Sequence, residues 1–194
     1  MFRLSCKTIV LLSSLMILPV SASAQSTNPA NMGSDTNSTK TENTLSGDDK
    51  SFFNNAAEAG LAEVEGGKLA QQKASTSEVK DFAARMVTDH GKVNEELKAL
   101  AESKGATVST EPSLMQKGEL KALSLLDDKF DENYVDRMGV AAHESTIELF
   151  QDTIKNSEDA DIKAFAEKTL PSLQEHLKMA QDLNPTVSKA KAQP

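Results

Sequence analysis

The sequence predicts an all-α fold: a four-helix bundle of two helical hairpins, joined by a long crossover that contains a short extra helix. Three observations carry this prediction. The 194-residue chain has no tryptophan and one tyrosine, and helix-forming Ala, Leu, Glu and Lys dominate it. Four segments place apolar residues at alternating three- and four-residue steps, the signature of helices that bury one face. About 24 residues, Gly105 to Asp128, separate the second segment from the third, far more than a hairpin turn needs.

The chain opens with Arg3 and Lys7, then an apolar run from Thr8 to Val20, then Ala22-Ser23-Ala24. A positive start, an apolar stretch of about 13 residues and a small-x-small site read as a cleaved signal peptide over residues 1–24. The run is too short to span a membrane as a helix. Cys6 lies before it, so a lipid anchor at the cleavage site is not expected, and cleavage removes the only cysteine. That excludes disulfides, cysteine nucleophiles and Cys-based metal sites. Loss of Arg3 and Lys7 leaves 19 basic residues against 29 acidic ones, a formal charge of −10. Such a surface repels phosphate backbones and anionic lipid, so neither nucleic acid nor membrane is an expected partner, and the expected location is periplasmic or secreted. Residues 25–47 are Ser, Thr, Asn, Gly and Asp with almost nothing to bury, and read as a disordered linker. The bundle is expected over 48–184 and a flexible tail over 185–194.

The first helix is expected from about Lys50 to Lys73, with Asp48 or Asp49 as N-cap. Its packing row, Phe53, Ala56, Gly60, Glu63, Gly67, Ala70 and Ala74, is small or apolar except at Glu63, so a neighbour can approach closely. Gly66-Gly67 marks that approach rather than a phosphate loop. Ser75-Thr76-Ser77 ends this helix and caps the next. The second helix, about Glu78 to Lys104, carries Val79, Phe82, Met86, His90, Val93, Leu97 and Leu100, and stops at Gly105. Leu114 to Leu126 reads as the short crossover helix. The third long helix, about Lys129 to Asn156, carries Val140, His143, Ile147, Phe150 and Ile154. The fourth starts near Ala160 with Ile162, Phe165, Thr169, Leu173, His176, Ala180 and Leu183. Pro171 should kink or split it, and Asn184-Pro185 should end it.

Hairpin, long crossover, hairpin is the wiring of a ferritin-like bundle. A short internal echo supports two similar hairpins: Glu78-Val79-Lys80-Asp81-Phe82-Ala83 against Asp161-Ile162-Lys163-Ala164-Phe165-Ala166.

All three histidines of the chain fall on apolar stripes of three different helices. Counted from the turns near Ser75 and Asp159, Glu63 and His90 lie at nearly one height, and so do His143 and His176. If the two hairpins share that layer, Glu63, His90, His143 and His176 converge in the core. Three imidazoles and a carboxylate suit one Zn, Cu, Fe or Ni ion. The bland alternative is three structural core histidines, hydrogen-bonded and holding the hairpins in register. Asp136, two turns before His143, is a candidate partner or extra ligand. Asp89, Glu144 and Glu175, each adjacent to a histidine, point about 100° away and read as solvated charges.

Several motifs carry a family resemblance: Ala-Glu-Val-Glu at 62–65, Phe82-Ala83-Ala84-Arg85-Met86 leading to Asp89-His90, and Phe130-Asp131-Glu132-Asn133-Tyr134-Val135. To these add Ala142-His143-Glu144, and Thr169-Leu170-Pro171-Ser172-Leu173 followed by Glu175-His176. From about Asp48 to Leu183 the chain resembles an exported bacterial family known as domain of unknown function 4142, described as ferritin-like. The resemblance implies such a bundle and an envelope location; it brings no reaction. A di-iron site needs Glu-x-x-His on two helices, whereas Val87, Val140 and Leu173 stand three residues before the histidines. Ferroxidase and iron-storage chemistry are therefore not expected.

The leading functional expectation is a non-catalytic, accessory or stress-related protein of the cell envelope. The alternatives are a mononuclear metal-binding or weakly redox-active protein using the histidines, and a module that offers a groove to a partner helix. Hydrolase chemistry lacks a Gly-x-Ser-x-Gly elbow and any serine–histidine pairing.

Overall fold

A serine, not an aspartate, opens the first helix. Ser46 Oγ accepts from the backbone N–H of Asp49, so α1 (Gly47–Lys73) begins earlier than the aspartates suggested. Asp48 and Asp49 instead occupy the first turn, where a helix N-terminus favours negative charge. The computed structural model describes residues 45–190, with side chains to Asn184. The expected signal peptide, nearly all of the expected linker and the last residues of the tail lie outside that range.

The other elements are α2 (Ser77–Ser103), α3 (Leu114–Ser124) in the crossover, α4 (Phe130–Tyr134), a π-helical segment (Val135–Ala141), α5 (Ala142–Asn156) and α6 (Ala160–Ala190). No strand occurs among the described residues. Gly105, at φ 70°, ends α2 as the left-handed residue that only glycine adopts without strain. Helix α1 packs along α2, and α5 along α6, which gives the two hairpins. Glycines set the closeness of the first. A Cβ on Gly67 would lie 2.8 Å from Val87 Cγ2 and 2.9 Å from the Ala83 carbonyl oxygen, and one on Gly60 would run into the Asn94 side chain.

Three features depart from expectation. The third long helix is continuous from Phe130 to Asn156 but contains a π turn, in which the N–H of Ala142 reaches the carbonyl of Arg137, five residues back. Helix α6 is not split at Pro171, and it runs through Pro185 to Ala190. Proline forfeits one backbone hydrogen bond, and a long helix with several others on each side carries that loss. The turn before α2 is held from outside: Asp131 accepts from the N–H groups of Ser75 and Thr76 and from the Thr76 hydroxyl. Thr76, the N-cap, makes no side-chain cap of its own. At the opposite end Lys104 bridges to Asp159 and Asp161 at 2.8 and 2.6 Å.

The core divides into two apolar clusters. One gathers Phe82, Met86, Leu123, Phe130, Tyr134 and Val135. The other gathers Phe52, Phe53, Leu97, Phe150, Ile162 and Phe165. Along α2 and α6, His90 and His176 fall between the positions contributed to the two clusters, so a buried polar layer separates two dry cores. None of the described helices is long and apolar enough to cross a membrane.

Candidate metal centre

His90 on α2, His143 at the start of α5 and His176 on α6 are 4 %, 1 % and 2 % exposed. Each sits on the apolar stripe of its helix, so folding the stripes together draws the imidazoles inward. The rings form a near-equilateral triangle, with centroids 5.3, 5.3 and 5.5 Å apart. One ligand nitrogen from each lies within 4.8 Å of the others, and this trio is the sole such cluster among the described residues.

The hydrogen bonds fix which nitrogen His143 and His176 offer. His143 Nδ1 lies 2.9 Å from the Met138 carbonyl, which can only accept, so Nδ1 carries the proton and Nε2 keeps its lone pair. That Nε2 is 3.3 Å from His90 Nε2. Two nitrogens bound to one tetrahedral ion at about 2.0–2.1 Å would stand about 3.3–3.4 Å apart. His176 Nε2 lies 3.1 Å from Asp89 Oδ2, which can accept its proton, and His176 Nδ1 is then buried with no partner. A buried ring nitrogen with no hydrogen-bond partner, on one of three clustered imidazoles, is free to take a metal ion.

Burial lowers the basicity of all three rings. It takes His143 to about 4, the bond to Met138 opposing the fall. It takes His90 well below the usual imidazole range, with the neighbouring histidines adding to the drop. His176 is lowered by burial and partly restored by Asp89. Neutral imidazoles are the form that binds metal.

The π turn builds one corner of this site. The Met138 carbonyl that orients His143 lies in it, five residues before the ring. The turn also explains a misplaced candidate. Asp136, expected two α-turns before His143 on its face, is exposed, and its Oδ1 accepts from Asn184. The extra residue of a π turn breaks the register that an unbroken α-helix would have kept. Asp136 therefore pairs with Asn184 and stands outside the histidine trio.

Glu63 enters the layer from α1 at 3 % exposure. Its Oε1 stands 3.8 Å from His143 Nδ1, the nitrogen already bonded to Met138, and beyond hydrogen-bond reach. It is not one of the close trio, and both its oxygens lack a hydrogen-bond partner. Burial pushes its carboxyl well above the ordinary range, and the Tyr134 hydroxyl, also buried without a partner, is raised by burial and by the charge of Glu63.

Asp89 is the residue that sequence reasoning undervalued. It does not serve its neighbour His90, but it reaches across to His176 and also takes Arg85 Nε at 3.2 Å. Partial burial raises its carboxyl, and the hydrogen bonds from His176 and Arg85 outweigh that and lower it. Arg85 also pairs with Glu175 at 3.0 Å. The Arg85–Asp89 spacing of four residues was the available signal, since it marks a local pair on one face. Glu144 is exposed, as a solvated charge should be.

A buried three-histidine cluster in an all-helical protein defines the class. Its family follows from the comparisons: the model of the domain of unknown function DUF4142 matches residues 34–183, and the chain belongs to that family. No curated protein matches the chain. Among solved structures, the crystal structure of a DUF305 fragment from Deinococcus radiodurans is similar in fold, at a TM-score of 0.65 and 9 % identity. The similarity covers 73 % of this chain and 98 % of that one.

Proposed function

We propose that this chain is an exported, non-catalytic helical-bundle protein that holds one transition-metal ion in its core. The observation that carries the reading is a trio of buried histidines, one ring nitrogen of each within 4.8 Å of the others, in which His176 Nδ1 has no hydrogen-bond partner. Three imidazoles and no thiolate or chelating carboxylate pair favour Zn²⁺, Cu²⁺ or Ni²⁺ over a di-iron centre. Asp89 behind His176 and the Met138 carbonyl behind His143 are the outer partners such ligands use to hold tautomer and angle. The hairpin–crossover–hairpin wiring supports a ferritin-like description, and the N-terminal pattern supports export.

Titrating metal-free protein with Zn²⁺ or Cu²⁺ by calorimetry tests the reading. One equivalent should bind, the melting temperature should rise with metal concentration, and His90→Ala, His143→Ala and His176→Ala should each abolish most of the affinity. A double variant should lose little more, because ligands of one site fail together. Undiminished binding to the triple-histidine variant would show the cluster to be an ordinary hydrogen-bonded core.

A further inference from the structure

The histidines are at most 4 % exposed, so an ion must reach them through the protein. A cavity of about 460 Å³ opens among α1, α3, the π segment and α5. Asn55, Arg137, Ala141 and Ser145 on its wall are exposed, while Ala62 and Glu63 are buried. A second pocket of about 10 Å³ is lined by His90 and by Asn94, whose Oδ1 is buried without a partner. Ala59 and Thr146 line both spaces. The walls thus run from the surface to Glu63, past two small side chains, to His90.

Charge along this path is uneven. Three ionisable side chains line the larger cavity: Glu63, Glu119 and Arg137. Arg137 Nη1 stands 3.5 Å from Glu119 Oε1, so those two offset each other, and Glu63 is left unpaired inside. A partnerless carboxyl oxygen at the inner end of such a cavity is the donor that an entering cation meets first.

We infer that this cavity is the port through which a metal cation reaches the histidines, with Glu63 as its first inner donor. The Glu63 oxygens replace part of the hydration shell that the ion sheds before the imidazoles take it. This gives the orphaned carboxylate a role that coordination in the trio does not, and it rests on the metal reading above.

Loading kinetics test it on the full mature chain, with Co²⁺ as the probe, read by its d–d absorbance, and unloading into excess chelator. Ala141→Trp, and independently Ser145→Trp, place bulk at an exposed wall position where folding should be unaffected. Each should slow loading and unloading together by about tenfold or more and leave Kd within about threefold, because a plug alters the path and not the site. Glu63→Gln, nearly equal in volume but a weaker oxygen donor, should slow loading by about tenfold. Unchanged rates in all three variants would overturn the port. So would a Glu63→Gln protein that loses Co²⁺ as completely as a histidine variant does, since Glu63 would then be a ligand. A wild-type protein that binds no Co²⁺ would instead remove the metal reading itself; binding with undisturbed kinetics removes only the port.

Discussion

At one end of the bundle Phe52, Phe150 and Phe165 pack ring against ring, with centroids 5.2 to 6.3 Å apart. Between the two apolar cores, three imidazoles sit at closely similar separations and are just as dry. The two layers differ in what burial does to their atoms. Phenylalanine carbons lose water and gain dispersion contacts. The polar layer loses water at Glu63 and His176 and leaves some of their atoms with nothing in exchange. Depth alone does not separate core from site; the partnerless polar atom does.

The largest effect that separates the layers is on stability. Phe53→Ala should cost about 3–5 kcal/mol in chemical denaturation, because a fully buried ring leaves a cavity that helices cannot close. A loss below about 1 kcal/mol would mean that the aromatic end is not the rigid part of the bundle.

Acid comes next, and of these two layers it acts on the polar one. His143 titrates near 4 in the folded protein and near 6.5 when unfolded, so the unfolded state binds more protons in between. Stability of the metal-free protein is therefore complete above pH 6.5 and falls as pH drops towards 4, by about 3 kcal/mol for this ring alone. Glu63 has the opposite sign. Its raised carboxyl takes up a proton in the folded state first, adding stability as pH falls towards 4.5 and offsetting part of the loss. Urea melts across this range should show the decline, steeper in Glu63→Leu than in the wild type; a flat profile in both would contradict neutral buried histidines.

A smaller effect falls on Asp89. Asp89→Asn keeps the shape but weakens the grip on His176, and should lower metal affinity by about 10- to 100-fold. The partly exposed Arg85–Asp89 ion pair that it removes is worth about 1 kcal/mol or less to folding. Equal losses in affinity and stability would make Asp89 a structural residue only.

The smallest shift has an unusual direction. Glu63→Leu in the metal-free protein should gain about 1 kcal/mol, because a carboxyl without partners gives way to a side chain that wants the same surroundings. A core position would lose stability under any such change of chemistry, and so would Glu63 if it were one.

Much of this was legible in the chain. The stripes through His90, His143 and His176 located the helices and their inner faces, because burial imposes the 3.6-residue period on sequence directly. Counting residues from the two turns puts Glu63 level with His90, and His143 level with His176, and the structure brings the three histidines together. What stayed hidden were contacts made across helices or against the period. A π turn has no composition of its own, so Asp136 was assigned to a face that the turn removes. Asp89 looked like a solvated neighbour of His90 because sequence does not say which helix lies opposite. Ser46 was passed over for Asp48 and Asp49, all three being good caps, and only backbone angles choose among them.

The π turn also has a genetic reading. A π turn holds one residue more than the α turn it replaces, which is the change that inserting a single codon makes. Removing one residue between Val135 and Ala141 would let α4 run into α5 as ordinary α-helix, turning everything after the deletion by about 100° relative to what precedes it. Either the Phe130 end or His143 would then leave the core. This corner of the histidine layer is thus one three-nucleotide event away from a plain helix, and a lineage could acquire or discard it without touching any histidine.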